Sequence, residues 1–450
     1  MKMIKTNKEY TLKIESVSSE GHGVAHIDGF TVFVPQTAAG DTVRAVITDV
    51  QKRFARARIT KLIHASQDRC EPECINYGQC GGCQLRHIQY DKQLEIKKQS
   101  VESAMQRIGG FTHFKADEII GADISLRYRN KMVFPVGEIN GETVCGFYAP
   151  KSHDIIPLGD CILGDELNVK IIDTVKEYMT ENNIKAYNEK TRYGVIRSIF
   201  TRKSFSDNEI MVVICSAVKK LPKDELLIEK LRNISDRISS IILNINTGKL
   251  TLSNENVTLW GNDTIFDILC DMKFEISPNS FFQINPAQTE KLYRKAIDFA
   301  QLDKNTSIMD IYCGIGTISL YAAQMAKSVI GIEIVEQAIK DAKKNAKLNG
   351  IDNAEFYADS AENIVPRLIE EGRQTDVIIL DPPRKGSDEK TLGAIVKSGA
   401  KRIVYVSCNP ATLARDARFL AEYGYRITRS AIFDLFPHTC HVETVILMER

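Results

Sequence analysis

The stretch SIMDIYCGIGTISLYAAQM, residues 307–325, decides the fold. Its first residues form a short apolar run of strand length, Gly314 and Gly316 make a Gly-x-Gly turn, and apolar residues then recur at helical spacing. Glycines at such a turn let the backbone bend sharply and approach a ligand closely. A second strand-like run, SVIGIEIV (328–335), ends on Glu333, about twenty residues after the turn. An acidic side chain at that tip is placed to accept both hydroxyls of a ribose. The order strand, glycine turn, helix, strand, acid predicts a Rossmann-like α/β domain that binds a nucleoside. Thr317, Ile318 and Ser319 follow Gly316, so the third glycine of the dinucleotide fingerprint is missing. That points away from a pyrophosphate ligand and toward S-adenosylmethionine.

Toward the C-terminus the strand–helix alternation continues from about 276 to the end. TDVIILDPPRKG (375–386) closes a strand on Asp381 and a stiff Pro-Pro turn, at the sheet edge where open α/β folds hold ligands. YVSCNPATLARD (405–416) ends a strand at Cys408, and Asn-Pro then opens a helix expected over 411–423. A thiolate is stabilised near a helix N-terminus. A buried packing thiol is the plainer alternative for a lone cysteine. FDLFPHTCHVETVILME (433–449) carries His438, His441 and Glu443 to the start of a last strand. Asp359, ending AEFYADS, is either an adenine neighbour or an ordinary strand-end residue. The two histidines lack a third ligand at metal spacing, so substrate or packing roles suit them better.

Toward the N-terminus, residues 8–64 alternate short β-like runs with Gly- and Asp-containing turns, the pattern of a small OB-like barrel. Residues 1–66 hold ten Lys/Arg against six Asp/Glu, and five of the ten fall in QKRFARARITK (51–61). That stretch is either a charged edge strand or an RNA-binding face. The helix YDKQLEIKKQSVESAMQRIGG (90–110) stops at Gly-Gly. From about 124 to 270, strands expected near 131–136, 194–202, 210–217 and 240–245 alternate with helical segments, giving an α/β middle domain.

At 450 residues the chain exceeds one ordinary core, and the expected division is 1–65, 66–275 and 276–450. Helix 90–110 has the option of packing on the last of these. With 43% hydrophobic and 26% charged residues the composition is that of a globular protein, and no apolar run reaches the length of a membrane span. The start MKMIKTNKEY has no apolar signal region, which predicts a cytoplasmic protein without membrane attachment. Eleven cysteines in such a chain predict thiols, metal ligands or catalysis instead of disulfides. Cys70, Cys74, Cys80 and Cys83 fall in RCEPECINYGQCGGCQLRH, a density that predicts metal binding; four thiolates would close a tetrahedral zinc site.

SFFQIN (280–285), DIYCGIGT (310–317), DPPRKG (381–386), VSCNP (406–410) and FPHTCHVE (436–443), in this order, resemble the RNA uracil-5-methyltransferases over essentially the whole chain. The resemblance implies a class I methyltransferase domain and methylation of uridine at carbon 5. That carbon is a poor nucleophile until a thiolate adds to carbon 6, after which a base must remove the carbon-5 proton. It implies Cys408 as nucleophile and Glu443 as base. Gln283, Tyr312, Gly314, Glu333 and Asp381 would bind the donor, and Phe281, Arg384 and His438 the flipped base. It also implies a [4Fe–4S] cluster on Cys74, Cys80, Cys83 and Cys161, with Cys70 extra, so zinc stays an alternative. The barrel resembles a TRAM domain. With the cysteines, it makes the ribosomal-RNA branch the expected one, with 23S rRNA as substrate and a monomer as the expected state. Methylation of tRNA uridine or of RNA cytosine is an alternative, as is a non-catalytic RNA-binding scaffold.

Overall fold

The computed structural model describes residues 4–248 and 251–450. At the N-terminus β1 (Glu9–Lys13), β2 (Ser16–Val17), β3 (Gly23–Ile27), β4 (Phe30–Val34), β5 (Thr42–Val50) and β6 (Phe54–His64) form one sheet in the order β1-β5-β6-β4-β3-β2. Val43, Ala45 and Ile47 of β5 point inward and their neighbours outward, the strand period of two. β1 lies against β3, curling the sheet toward an OB-like barrel around Val32, Val34, Ala55 and Ala57. Lys52, Arg53, Arg56, Arg58 and Lys61 all face solvent, and the Arg56 guanidinium stands over the Phe54 ring at 5.0 Å.

After an irregular cysteine-bearing segment come α1 (Tyr90–Arg107) and the short β7 (Glu118–Ile120). β8 (Lys131–Ile139), β9 (Glu142–Tyr148), β10 (Ile155–Pro157), α2 (Leu167–Glu181), β11 (Ile196–Lys203), β12 (Ile210–Ser216), α3 (Asp224–Arg232), β13 (Ile238–Ile245) and β14 (Asn256–Gly261) then build the middle region. Its seven strands run β10-β9-β8-β11-β12-β13-β14. β12 reads IMVVICS without polar alternation because both its faces are covered. Ile210, Val212 and Ile214 pack with α2 and α3, while Met211, Val213 and Cys215 pack with the hairpin β15 (Ile265–Leu269) and β16 (Met272–Ile276).

The remaining elements are α4 (Pro286–Ala300), β17 (Ser307–Ile311), α5 (Thr317–Ala323), β18 (Ser328–Glu333), α6 (Glu336–Leu348), β19 (Ala354–Ala358), α7 (Ala361–Glu370), β20 (Val377–Leu380), α8 (Glu389–Ser398), β21 (Arg402–Ser407), α9 (Pro410–Glu422), β22 (Arg426–Phe433) and β23 (Glu443–Glu449). They form an eight-stranded sheet ordered β19-β18-β17-β20-β21-β23-β22-β7. β17 to β21 run parallel, and β23 is antiparallel to both its neighbours. The strand order reverses at β17, so a crevice opens beyond the carboxyl ends of β17, β18 and β20.

Two pieces of the 66–275 stretch lie on this sheet. β7 pairs with β22 through Ala431↔Glu118, and Val101 and Met105 of α1 share a buried cluster with β17, β20, β21 and α7–α9. Among the described residues no helix is long and apolar enough to cross a membrane.

Candidate active site

The two ends of the proposed chemistry are joined by strand register. β21 and β23 pair antiparallel up to Ser407↔Thr444, the residues just before Cys408 and just after Glu443. Cys408 leaves β21, and Asn409 caps α9 with its side chain accepting from the Ala411 N–H at 3.0 Å, with Pro410 in the first turn. The Pro-Pro turn is tied to the same point, since the Arg384 carbonyl accepts from Asn409 Nδ2 at 2.9 Å and Thr412 Oγ1 at 3.3 Å. Beneath both loops lies the fully buried Asp416, accepting from the Ser387 N–H (2.8 Å) and Tyr405 Oη (2.6 Å). A Cβ at Gly386, where φ is +74°, would stand 2.6 Å from the Arg415 and Asp416 side chains, so the turn closes only with glycine.

Electrostatics weigh against one expectation. Around Cys408, burial opposes the pull of the α9 start toward a thiolate. Burial, reinforced by Glu443 and Asp381, pushes its thiol up to about 11, against the pull of Arg384. Glu443, 3% exposed, is held well above the usual carboxylate range by burial and then by Asp381. Burial also pushes Asp381 up to about 7. The cleft thus holds a thiol and two carboxyls that share one reluctance to ionise, with Arg384 as the nearby cation.

The glycine turn lies beside this group, at the end of β17. Tyr312, Gly314 and Gly316 all have positive φ (70°, 55° and 83°), a costly conformation for the tyrosine that marks a shaped ligand loop. Glu333 spans the turn and the next loop, accepting from the Gly314 N–H at 3.3 Å and the Val335 N–H at 2.9 Å. Gln283 is buried, and its carbonyl accepts from Asn130 Nδ2 at 2.8 Å. Ser280, in the same motif, donates to Asp341 of α6 at 3.1 Å, which holds SFFQIN against the helix that follows Glu333. Phe281 is 61% exposed beside the buried Phe282, a free aromatic face. Asp359 caps its own turn, accepting from the Ser360 N–H at 2.7 Å.

The two histidines part company. His441 Nε2 lies 3.4 Å from Arg384 Nη2, facing the cleft. The ring of His438 turns to α1, with Nδ1 3.3 Å from Gln93 Nε2. Sequence reading missed the buried pair Lys97–Asp434 and the Asp416 hub. For Lys97 a signal existed: Gln93, Lys97, Val101 and Met105 recur every fourth residue on the buried face of α1.

Among the described residues no two cysteines form a disulfide. Burial pushes the Cys83 thiol up to about 11, with Cys161 the next cause, and Cys80 is raised by burial and by its neighbours Cys161 and Cys74. Cys74, Cys80, Cys83 and Cys161 therefore stand within electrostatic reach of one another, whereas Cys70 Sγ points to the Arg86 carbonyl at 3.4 Å. Among the described residues no three His, Cys, Asp or Glu side chains converge at metal-ligating geometry. Near the thiols, Arg86 Nε and Nη1 and Arg129 Nε are buried N–H groups without a partner, which suits an anionic group beside them.

Residues 89–450 match the model of the tRNA (Uracil-5-)-methyltransferase family, and residues 5–60 match the TRAM domain. An RNA methyltransferase of Clostridium tetani, named as uncharacterized, is 44% identical over 447 residues, 99% of this chain and 97% of its own. Another, of Caldanaerobacter subterraneus subsp. tengcongensis, is 44% identical over 452 residues, 100% of both chains. Pyrococcus abyssi tRNA (uracil-54, C5)-methyltransferase in complex with S-adenosyl-L-homocysteine superposes with a TM-score of 0.78 at 28% identity, covering 97% of this chain and 99% of that one.

Proposed function

The chain belongs to the tRNA (uracil-5-)-methyltransferase family, and on that premise we propose that it methylates carbon 5 of uridine in 23S rRNA with S-adenosylmethionine as donor. The observation that supports the reading is the β21–β23 ladder, which ends at Ser407 and Thr444, next to Cys408 and Glu443, whose carboxyl acts on the thiol together with Asp381 and Arg384. Cys408 releases its proton to solvent and its sulfur bonds to carbon 6; the ring electrons move to carbon 5, which takes the methyl as the methyl–sulfonium bond breaks and S-adenosylhomocysteine leaves. When bound, the donor supplies an electrophilic methyl on a sulfonium cation, whose charge near Asp381 favours the ionised forms of the thiol and carboxyls. Glu443 then takes the carbon-5 proton, carbon 5 and carbon 6 regain their double bond, and the Cys408 thiolate leaves. Tyr312, Gly314, Glu333, Gln283 and Asp381 hold the donor. Phe281 offers its exposed face to the flipped base, and Arg384, with His441 beside it, holds the uracil edge.

We assign Cys74, Cys80, Cys83 and Cys161 to a [4Fe–4S] cluster on the resemblance and on the unpartnered arginine N–H groups near them, with Cys70 outside it. The cluster supplies structure or RNA organisation, because methyl transfer from a sulfonium needs no electrons. We read the chain in three parts, 1–65, 66–275 and 276–450, with α1 and β7 counted with the last. The basic outer face of β6 is the RNA-binding face, and an RNA substrate of this kind places the work in the cytoplasm.

Uridine in tRNA is the second reading, favoured by the Pyrococcus abyssi tRNA enzyme. Incubation with labelled S-adenosylmethionine and unmodified 23S rRNA or tRNA, followed by nucleoside analysis, separates the two. Label in 5-methyluridine from rRNA alone is the expected result. Label from tRNA alone transfers the assignment to tRNA, and no 5-methyluridine from either RNA overturns the activity.

A further inference from the structure

Glu443 is the first residue after the long connection 434–442 between β22 and β23. Ladder pairing with Phe433 sets the Glu443 backbone, and within the connection Phe436, Thr439 and His441 make short local bonds. The rest of its hold comes from outside, much of it from residues 84–97, with Ile120, Tyr128, Asn285 and Gln288 adding contacts.

Lys97 Nζ lies 2.5 Å from Asp434 Oδ1 and 3.1 Å from the Phe436 carbonyl. Both members of the ion pair are buried, Lys97 1% and Asp434 0% exposed. Tyr90 Oη donates to the other Asp434 oxygen at 2.9 Å. Gln93 Oε1 accepts from the His438 N–H at 3.0 Å, the Leu85 N–H donates to the His438 carbonyl at 3.0 Å, and Gln84 Oε1 accepts from the Cys440 N–H at 3.3 Å. From the other side Asn285 and Gln288 of the α4 start donate to the carbonyls of Leu435 and Asp434 at 3.1 Å each. Successive points of the connection, from Asp434 to Cys440, are thereby fixed before the chain enters β23 at Glu443.

A buried lysine on the packing face of a helix is expensive. A methionine would fill the same stripe at no such cost, so packing of α1 does not account for Lys97. Its two acceptors are both on the connection that delivers Glu443.

We propose that Lys97, assisted by Gln93, is a positioning residue for proton removal: it clamps the 434–442 connection so that the Glu443 carboxylate meets the carbon-5 proton. The proposal rests on the reading of Glu443 as the base. It separates the two halves of the reaction. Bond formation by Cys408, which is carried by β21 and α9, does not depend on the clamp. Release of the methylated product does.

The test compares Lys97→Met, Gln93→Leu and Glu443→Gln enzymes with labelled S-adenosylmethionine and substrate RNA in a single turnover, with thermal melting as the check of folding. Protein–RNA adduct is read on a denaturing gel and free methylated RNA by nucleoside analysis. The clamp predicts near-normal methyl incorporation by Lys97→Met and Gln93→Leu, release slowed by about 10–100-fold, and a labelled Cys408 adduct. Incorporation and release slowed equally in folded protein, or release at the normal rate, overturns it. Where Lys97→Met fails to fold, Gln93→Leu, which leaves no buried charge behind, decides by the same criterion. If Glu443→Gln accumulates adduct and the clamp variants do not, the clamp alone falls. If Glu443→Gln accumulates none, the base assignment falls and the clamp with it.

Discussion

The carboxyl edge of the eight-stranded sheet and the cysteine-bearing segment 66–89 are built by opposite means. At the sheet edge, the β21–β23 ladder ends beside Cys408 and Glu443, and an Asn-Pro cap and a Pro-Pro turn fix the loops. The segment 66–89 has almost no regular structure beyond an isolated bridge between Arg69 and Ile88. It is held by side chains: Arg69 Nε donates to the buried Asp41 at 2.9 Å, and Tyr77 Oη meets His87 Nδ1 at 2.5 Å. A site on strand ends is preorganised before any ligand arrives. One on a loop draws its rigidity from a few polar contacts and from whatever the four thiols hold.

The contrast can be broken most sharply at the strand edge. Cys408→Ser is expected to lower turnover by about 10^4-fold or more with thermal stability unchanged, measured as 5-methyluridine formed. On the loop side, Cys161→Ser should lose most of the bound iron of the protein purified without oxygen and lower its melting temperature. Cys70→Ser should keep both. The reverse result would move Cys70 into the cluster.

A smaller effect sharpens the electrostatic part. With its thiol pushed up to about 11, Cys408 of the free enzyme is mostly protonated at neutral pH. Its alkylation, followed by peptide mass spectrometry, should quicken by about tenfold per pH unit from pH 7 to 9, because the thiolate fraction rises with pH below the pKa. A plateau near pH 7 would mean that the helix start dominates after all. Smallest of all, Asn409→Ala should cost about 1 kcal/mol by removing the α9 cap, read as a slight fall in thermal midpoint.

Where chemistry is carried by local order, the sequence was readable. The run 307–335 reads as strand, glycine turn, helix, strand and acid, and α9 begins one residue from the expected place. The strands near 131, 196, 210 and 238 also stand close to where alternation put them. What was not legible depends on contacts between distant residues. Nothing in EII (118–120) says that it will extend a sheet through Ala431, more than three hundred residues away. The helix-start argument for a Cys408 thiolate is incomplete for the same reason. It weighed the local dipole and not the burial and carboxyls brought by Asp381 and Glu443 from other strands. His438 and His441 look alike in sequence, and only the packing of α1 tells which one turns from the cleft.

The central claim is that Cys408 and Glu443 act in sequence on one uridine, and Glu443→Gln tests it most directly. Mixed with S-adenosylmethionine and substrate RNA, this variant should turn over about 10^2- to 10^4-fold more slowly and build up a denaturation-resistant protein–RNA complex. That complex should carry the methyl label and vanish in the Cys408→Ser, Glu443→Gln double variant. Turnover at the normal rate without a complex, or a complex that survives the loss of Cys408, would contradict the account.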